Sequence, residues 1–134
     1  MGKILVVDDQ LDVRSLLVSI FRDDGHEVKM AADGTKALQL LRTFKPDLVL
    51  LDMKMPGMNG IETLRKIRIL DRRVAVIMMT GYEDDPQNME QAKDLGILCY
   101  RPKPLDLFEP FDLSELRERV KEILSSPGII TKGC

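Results

Sequence analysis

The sequence has little net charge, no long apolar run, two cysteines and a single histidine. A formal net charge of -2 over 134 residues offers no basic surface of the kind nucleic acid requires, so direct DNA or RNA binding is not expected. Apolar stretches such as residues 48–51 and 74–79 fall far short of the roughly 20 residues that span a bilayer. No signal-peptide pattern precedes Lys3, and Val6 stands where an N-myristoylation signal needs Ser or Thr. The chain is therefore expected in the cytoplasm, with no membrane contact. Cys99 and Cys134 show no CxxC or metal-ligand spacing and read as free thiols, Cys99 within the core. His26 has no second histidine with which to share a metal and reads as a turn residue.

What is present is an ordinary mixture, 44% hydrophobic and 31% charged, suited to one domain around one core. Residues 3–7 (KILVV) end abruptly in Asp8 and Asp9, as a buried parallel strand does. Val13, Leu16, Leu17, Ile20 and Phe21 then make one stripe of a helix, with Gly25 where a left-handed cap is wanted. A weaker strand is expected at 27–31, followed by a helix that Asp33-Gly34 opens and Pro46 closes. Residues 48–51 (LVLL) are apolar on both faces, a central strand that stops at Asp52. After a Gly/Pro/Asn-rich loop, Ile61, Leu64 and Ile67 begin a third helix. Residues 74–79 are a fourth strand, ending at Thr80; Pro86 suits the first turn of a helix carrying Met89, Ala92 and Leu95. A last strand is expected at 97–100. Asp112 and Glu115 have capping-box spacing ahead of Leu113, Leu116, Val120, Ile123 and Leu124, and the charges of this helix read as a solvated face. The domain is thus expected over residues 1–125, with 126–134 as a short tail.

Five strand-helix units predict an α/β fold: a doubly wound parallel sheet in the flavodoxin-like order 2-1-3-4-5, with helices on both faces. In that order strands one and three are neighbours at the topological switch point, beyond whose C-terminal ends ligands bind. Asp8, Asp9 and Asp52 would meet there, with Thr80 and Lys103 arriving from strands four and five. Alone, Asp8-Asp9 would more often cap a helix, Thr80 would be a strand-end hydroxyl and Lys103 a solvated lysine. Together, three carboxylates repel unless a cation joins them, and a hard ion, Mg2+ or Mn2+, suits all-oxygen ligands. An Asp carboxylate is also a nucleophile toward phosphorus, so the constellation reads as a phosphoryl acceptor. An aspartyl-phosphate phosphatase would need a DxD pair that neither Asp8-Asp9-Gln10 nor Asp52-Met53-Lys54 supplies. A flavin or nucleotide domain would need a phosphate-binding loop after strand one, and none is there.

VVDDQ (residues 6–10), LDMKMPGMNG (51–60), MMTGY (78–82) and YRPKP (100–104) in this order resemble the receiver domains of two-component response regulators, from Lys3 to about Leu124. Gln10 and the run after Asp52 are most similar to stand-alone receivers of the sporulation-phosphorelay type. The resemblance implies that Asp52 accepts the phosphoryl group from a histidine kinase or histidine phosphotransferase, in a protein that catalyses only its own phosphorylation and dephosphorylation. It implies that Asp9 binds the metal directly, Asp8 mainly through a water, and that the Lys54 carbonyl completes the ligands. Lys103 would pair with the phosphoryl oxygens. Thr80 and Tyr100 would form the switch that changes the face of helix four, strand five and helix five toward a downstream protein. Pro104 would follow a bond that is commonly cis in the family. Lys54 and Tyr82 would border the path of attacking water and, lacking a carboxamide or carboxylate, shield the phosphoryl group.

This chain departs from the family pattern twice. One extra residue falls near residues 84–86, and residues 105–110 (LDLFEP) are inserted before Phe111-Asp112-Leu113. The eight Met residues read mostly as core filler, with Met53, Met55 and Met58 around the site as candidates for an adaptable docking surface. The expected function is that of a single-domain response regulator or phosphorelay intermediate; the alternative is the N-terminal receiver of a longer DNA-binding regulator.

Overall fold

In the computed structural model of this protein the described residues are 2–53, 59–80, 86–102 and 113–125, with the backbone alone described at 80 and 99–102. The elements run β1 (Lys3–Val7), α1 (Leu11–Asp23), β2 (Glu27–Ala31), α2 (Gly34–Thr43), β3 (Leu48–Asp52), α3 (Gly60–Leu70), β4 (Ala75–Thr80), α4 (Pro86–Asp94), β5 (Cys99–Pro102) and α5 (Ser114–Ser125). Every pairing is parallel, so each strand returns through a helix, and the order is β2-β1-β3-β4-β5. The doubly wound order 2-1-3-4 follows the sequence pattern, and β5 pairs at the edge from Ile77–Cys99 to Thr80–Pro102.

Strand alternation divides the core in two. Leu5, Val7, Val49, Leu51, Val76 and Met78 face Ala37 and Leu41 of α2, Ile61, Leu64 and Ile67 of α3 and Ala92 of α4. Ile4, Val6, Leu48, Leu50, Ile77 and Met79 face Val13, Leu17 and Phe21 of α1 and Leu116 and Val120 of α5. All five residues of β3 are buried, which is why that strand shows no polar alternation. Truncating such a side chain, Leu50→Ala for example, costs about 2–5 kcal/mol.

Local chemistry sets most boundaries. Gly25 (φ 93°) closes α1, its N–H donating to Arg22 O and the following His26 N–H to Phe21 O. Asp33 caps α2, its side chain accepting Lys36 N–H at 2.8 Å. β5 begins two residues later than the sequence pattern predicts. Ile97 N–H is committed to Ala92 O at 3.4 Å and Gly96 (φ 78°) N–H to Lys93 O at 2.9 Å, so these residues finish α4 before strand pairing starts. The last helix starts within one residue of the position its capping-box spacing implies. Its first residue is Ser114, and Leu113 O accepts Arg117 N–H; Asp112 lies outside the described residues.

Two arginines join elements that are distant in sequence. Arg68 at the end of α3 donates to Leu95 O (2.6 Å), Gly96 O (3.1 Å), Val74 O (2.7 Å) and Asp71 O (3.3 Å). Burial lowers its pKa from the ordinary value. Arg117 of α5 forks Asp24 at the end of α1, with Nε to Oδ2 at 2.9 Å and Nη2 to Oδ1. That hydrogen bonding holds the Asp24 carboxyl below its usual range. The charged face of α5 is therefore only partly a solvated one. His26 accepts Gly2 N–H through Nδ1 at 3.3 Å, and burial lowers its pKa from 6.5. Among the described residues no helix is long and apolar enough to cross a membrane.

Candidate functional site

The site forms where β1 and β3 end side by side. Val7 pairs with Leu51, so the next residue on each strand, Asp8 and Asp52, lies at the same rim. Asp8 is 0% and Asp52 2% exposed, whereas Asp9 stands in solvent. Asp8 N–H continues the ladder to Ala31 O at 3.1 Å, and Gln10 N–H donates to Asp8 Oδ1 at 2.8 Å. This local turn takes the chain from β1 into α1. On the first turn of α1, Arg14 Nη1 donates to Asp8 O at 2.7 Å.

One carboxylate oxygen from each of Asp8, Asp9 and Asp52 lies within 4.8 Å of the others. Carboxylates this close repel one another when ionised. A divalent cation bound between them reverses that sign. The donor set is all oxygen, which fits a hard cation and not a soft one.

A glycine closes the other side of β3. The chain returns at Asn59, whose side chain caps α3 by accepting Glu62 N–H at 2.9 Å. Gly60 N–H donates to Met53 O at 3.0 Å. A Cβ on Gly60 would stand 2.4 Å from Asp52 O, 2.7 Å from Met53 Cα and 2.8 Å from Met53 O. Those are backbone atoms and cannot swing aside, so α3 packs on the strand that carries Asp52 only with glycine here. In the sequence this residue is simply the last of a loop; its signal is an Asn-Gly pair ahead of an apolar helical stripe.

The remaining expected site residues divide in two groups. Thr80 ends β4, one residue beyond Met79, which pairs with Asp52. Tyr100 lies on β5 opposite Met78. Lys54, Tyr82, Lys103 and Pro104 lie outside the described residues, as do Met55, Met58 and the insertion at 105–110. Met53 is 3% exposed and packs in the α2–α3 side of the core, so it does not contribute to a docking surface as expected: its N–H continues the ladder to Met79 O and turns the side chain inward. Arg14 and Gly60 are the site residues that sequence pattern alone did not single out.

The family model described as the response regulator receiver domain matches residues 4–121. This chain belongs to the response regulator receiver family. The receiver is 43% identical over 122 residues to sporulation initiation phosphotransferase F of Bacillus subtilis, covering 91% of this chain and 93% of that protein. It is 37% identical to the DNA-binding response regulator MtrA of Mycobacterium tuberculosis, covering 94% of this chain but 54% of that protein. Among solved structures, a CheY-like receiver domain protein of Methanospirillum hungatei superposes with a TM-score of 0.82 at 29% identity, over 94% of this chain and 95% of that one. The receiver is thus similar to a short phosphotransferase over nearly its full length and to the receiver portion of a longer regulator.

Proposed function

We propose that this receiver accepts a phosphoryl group on Asp52 from a phosphohistidine of a kinase or phosphotransferase and hands it on, as a phosphorelay intermediate. The observation that carries the reading is the convergence of Asp8, Asp9 and Asp52 at the ends of β1 and β3, with Asp52 2% exposed. Asp52 supplies the attacking oxygen and its backbone is held by β4, which keeps the nucleophile fixed relative to the incoming phosphorus. Asp8 and Asp9 would hold a divalent cation such as Mg2+, which would supply positive charge against the phosphoryl oxygens. The family resemblance would give the phosphoryl oxygens to Lys103 and Thr80, the switch to Thr80 and Tyr100, a carbonyl ligand to Lys54 and the border of the water path to Lys54 and Tyr82; of these, only the backbone of Thr80 and Tyr100 lies within the described residues. On this reading the chemistry is the gain and loss of the protein's own phosphoryl group, which makes it a signalling module rather than an enzyme with an external substrate. The likeness to sporulation initiation phosphotransferase F, 43% identical over 91% of this chain, supports the relay role.

The likeness to MtrA, of which this chain spans 54%, supports a second reading as the receiver of a longer regulator; the length of the native reading frame decides between them. For the phosphoryl reading, radiolabelled acetyl phosphate with Mg2+ is expected to label the wild-type protein and not Asp52→Asn. Equal labelling of both proteins overturns the assignment.

A further inference from the structure

The turn between β1 and α1 contains a guanidinium that the phosphoryl-acceptor reading leaves without a task. Asp8 is held at three points: its N–H on Ala31 O at 3.1 Å, its Oδ1 by Gln10 N–H at 2.8 Å and its carbonyl by Arg14 Nη1 at 2.7 Å. The first bond completes the sheet ladder and the second directs the Asp8 side chain. The third acts on the next residue. The Asp8 carbonyl shares one rigid plane with the Asp9 N–H and Cα, so whatever fixes that oxygen also fixes the direction in which Asp9 leaves. Asp9 is exposed, and packing therefore contributes little to its placement.

We propose that Arg14 is a positioning residue for the divalent cation: by holding the Asp8–Asp9 peptide plane it aims the Asp9 carboxylate at the space shared with Asp8 and Asp52. The proposal rests on reading those carboxylates as a metal site. Because the acceptor is a backbone carbonyl, the contact leaves carboxylate lone pairs for the ion, whereas an arginine forked on a carboxylate would consume two of them.

Arg14 can influence a bound cation in two ways, and they differ in sign. As a fixed positive charge beside the site it opposes a divalent ion, so its removal would tighten binding. As the group that holds the peptide plane it favours the ion, so its removal weakens binding.

The experiment is a Mg2+ titration of wild type, Arg14→Met and Arg14→Ala, followed by backbone amide shifts and by the Mg2+-induced rise in melting temperature. Methionine keeps the aliphatic stem. Alanine, the best helix former, guards against a packing fault specific to methionine. Both variants are expected to bind Mg2+ about tenfold more weakly, the low end for a group that orients a metal ligand. Their melting temperatures without Mg2+ are expected to change much less than the Mg2+-induced increment does. Wild-type binding with equal or tighter binding in both variants overturns the proposal and leaves the metal site standing. Absence of Mg2+-induced shifts at the ends of β1 and β3 in wild type removes the site and the proposal together.

Discussion

At the rim formed by the strand N-termini, carboxylates accept from backbone N–H groups or from a guanidinium. Asp47 accepts Lys3 N–H at 2.9 Å, Asp71 Oδ1 accepts the N–H groups of Arg73 and Val74 at 2.8 and 3.0 Å, and Asp24 is forked by Arg117. At the opposite rim Asp8, Asp9 and Asp52 are brought within 4.8 Å of one another. The first arrangement uses negative charge to satisfy backbone donors and pair with a cationic side chain. The second concentrates it, an arrangement that a hard cation would relieve. One sheet thus has a rim of paired carboxylates and a rim of clustered ones.

The largest expected effect comes from moving the support of the clustered rim. Gly60→Ala places a Cβ inside backbone contact with Asp52 and Met53, and a destabilisation of about 3 kcal/mol, the upper end for overpacking, is expected in urea unfolding. Stability equal to wild type would mean that the Asn59–Gly60 segment relaxes away from β3, and the distinction between a rigid and an adaptable rim would fall.

Exchanging charge tests the contrast directly. Asp52→Asn is expected to raise stability measured without divalent ions by about 1 kcal/mol, the common gain when a functional strain is relieved, and to reduce the further gain on adding Mg2+. Asp24→Asn at the other rim is expected to lower stability slightly and to leave the Mg2+ response unchanged. Melting curves with and without Mg2+ separate the two. A loss of stability in Asp52→Asn without metal would show that the cluster is not strained.

The smallest effect concerns pH. Hydrogen bonding by Arg117 depresses the Asp24 pKa below 3.8 in the folded state, so the unfolded chain binds more protons as the solution turns acid. The pair's contribution is therefore full above pH 3.8 and lost as pH falls through the depressed value. Because the pair is exposed, the effect is small and salt-sensitive. The difference in melting temperature between wild type and Arg117→Gln is expected near neutral pH and to shrink as the pH falls below 3.8 or in high salt. A difference that persists there would assign the effect to the packing of the arginine stem on α5.

How far the site could be read in advance depended on the kind of signal. The strand ends were legible because an apolar run must stop where a carboxylate begins, and the parallel order followed from strands alternating with helices. Asp8, Asp9 and Asp52 met for that reason alone. The start of β5 was not legible, since Ile97 has the character of a strand residue while its N–H is drawn back to close α4. Met53 looked like a surface residue of a loop, yet its ladder bond to Met79 O turns it into the core.

Periodicity and turn chemistry act between residues a few positions apart, and those interactions are written into the chain: the helical stripes, the caps at Asp33 and Gly25, and the carboxylates that terminate β1 and β3. The tertiary structure alone decided the contacts whose partners are set by packing. Arg68 finds four carbonyls in the α3–β4 and α4–β5 connections, and Arg117 finds Asp24 across 93 residues. Arg14 reaches a peptide oxygen, and Gly60 has backbone where a side chain would go. A guanidinium or a missing Cβ matches no periodic or capping pattern; its role exists only once the fold has brought a particular stretch of backbone beside it, whether 6 residues away, as for Arg14, or 27, as for Arg68 and Leu95.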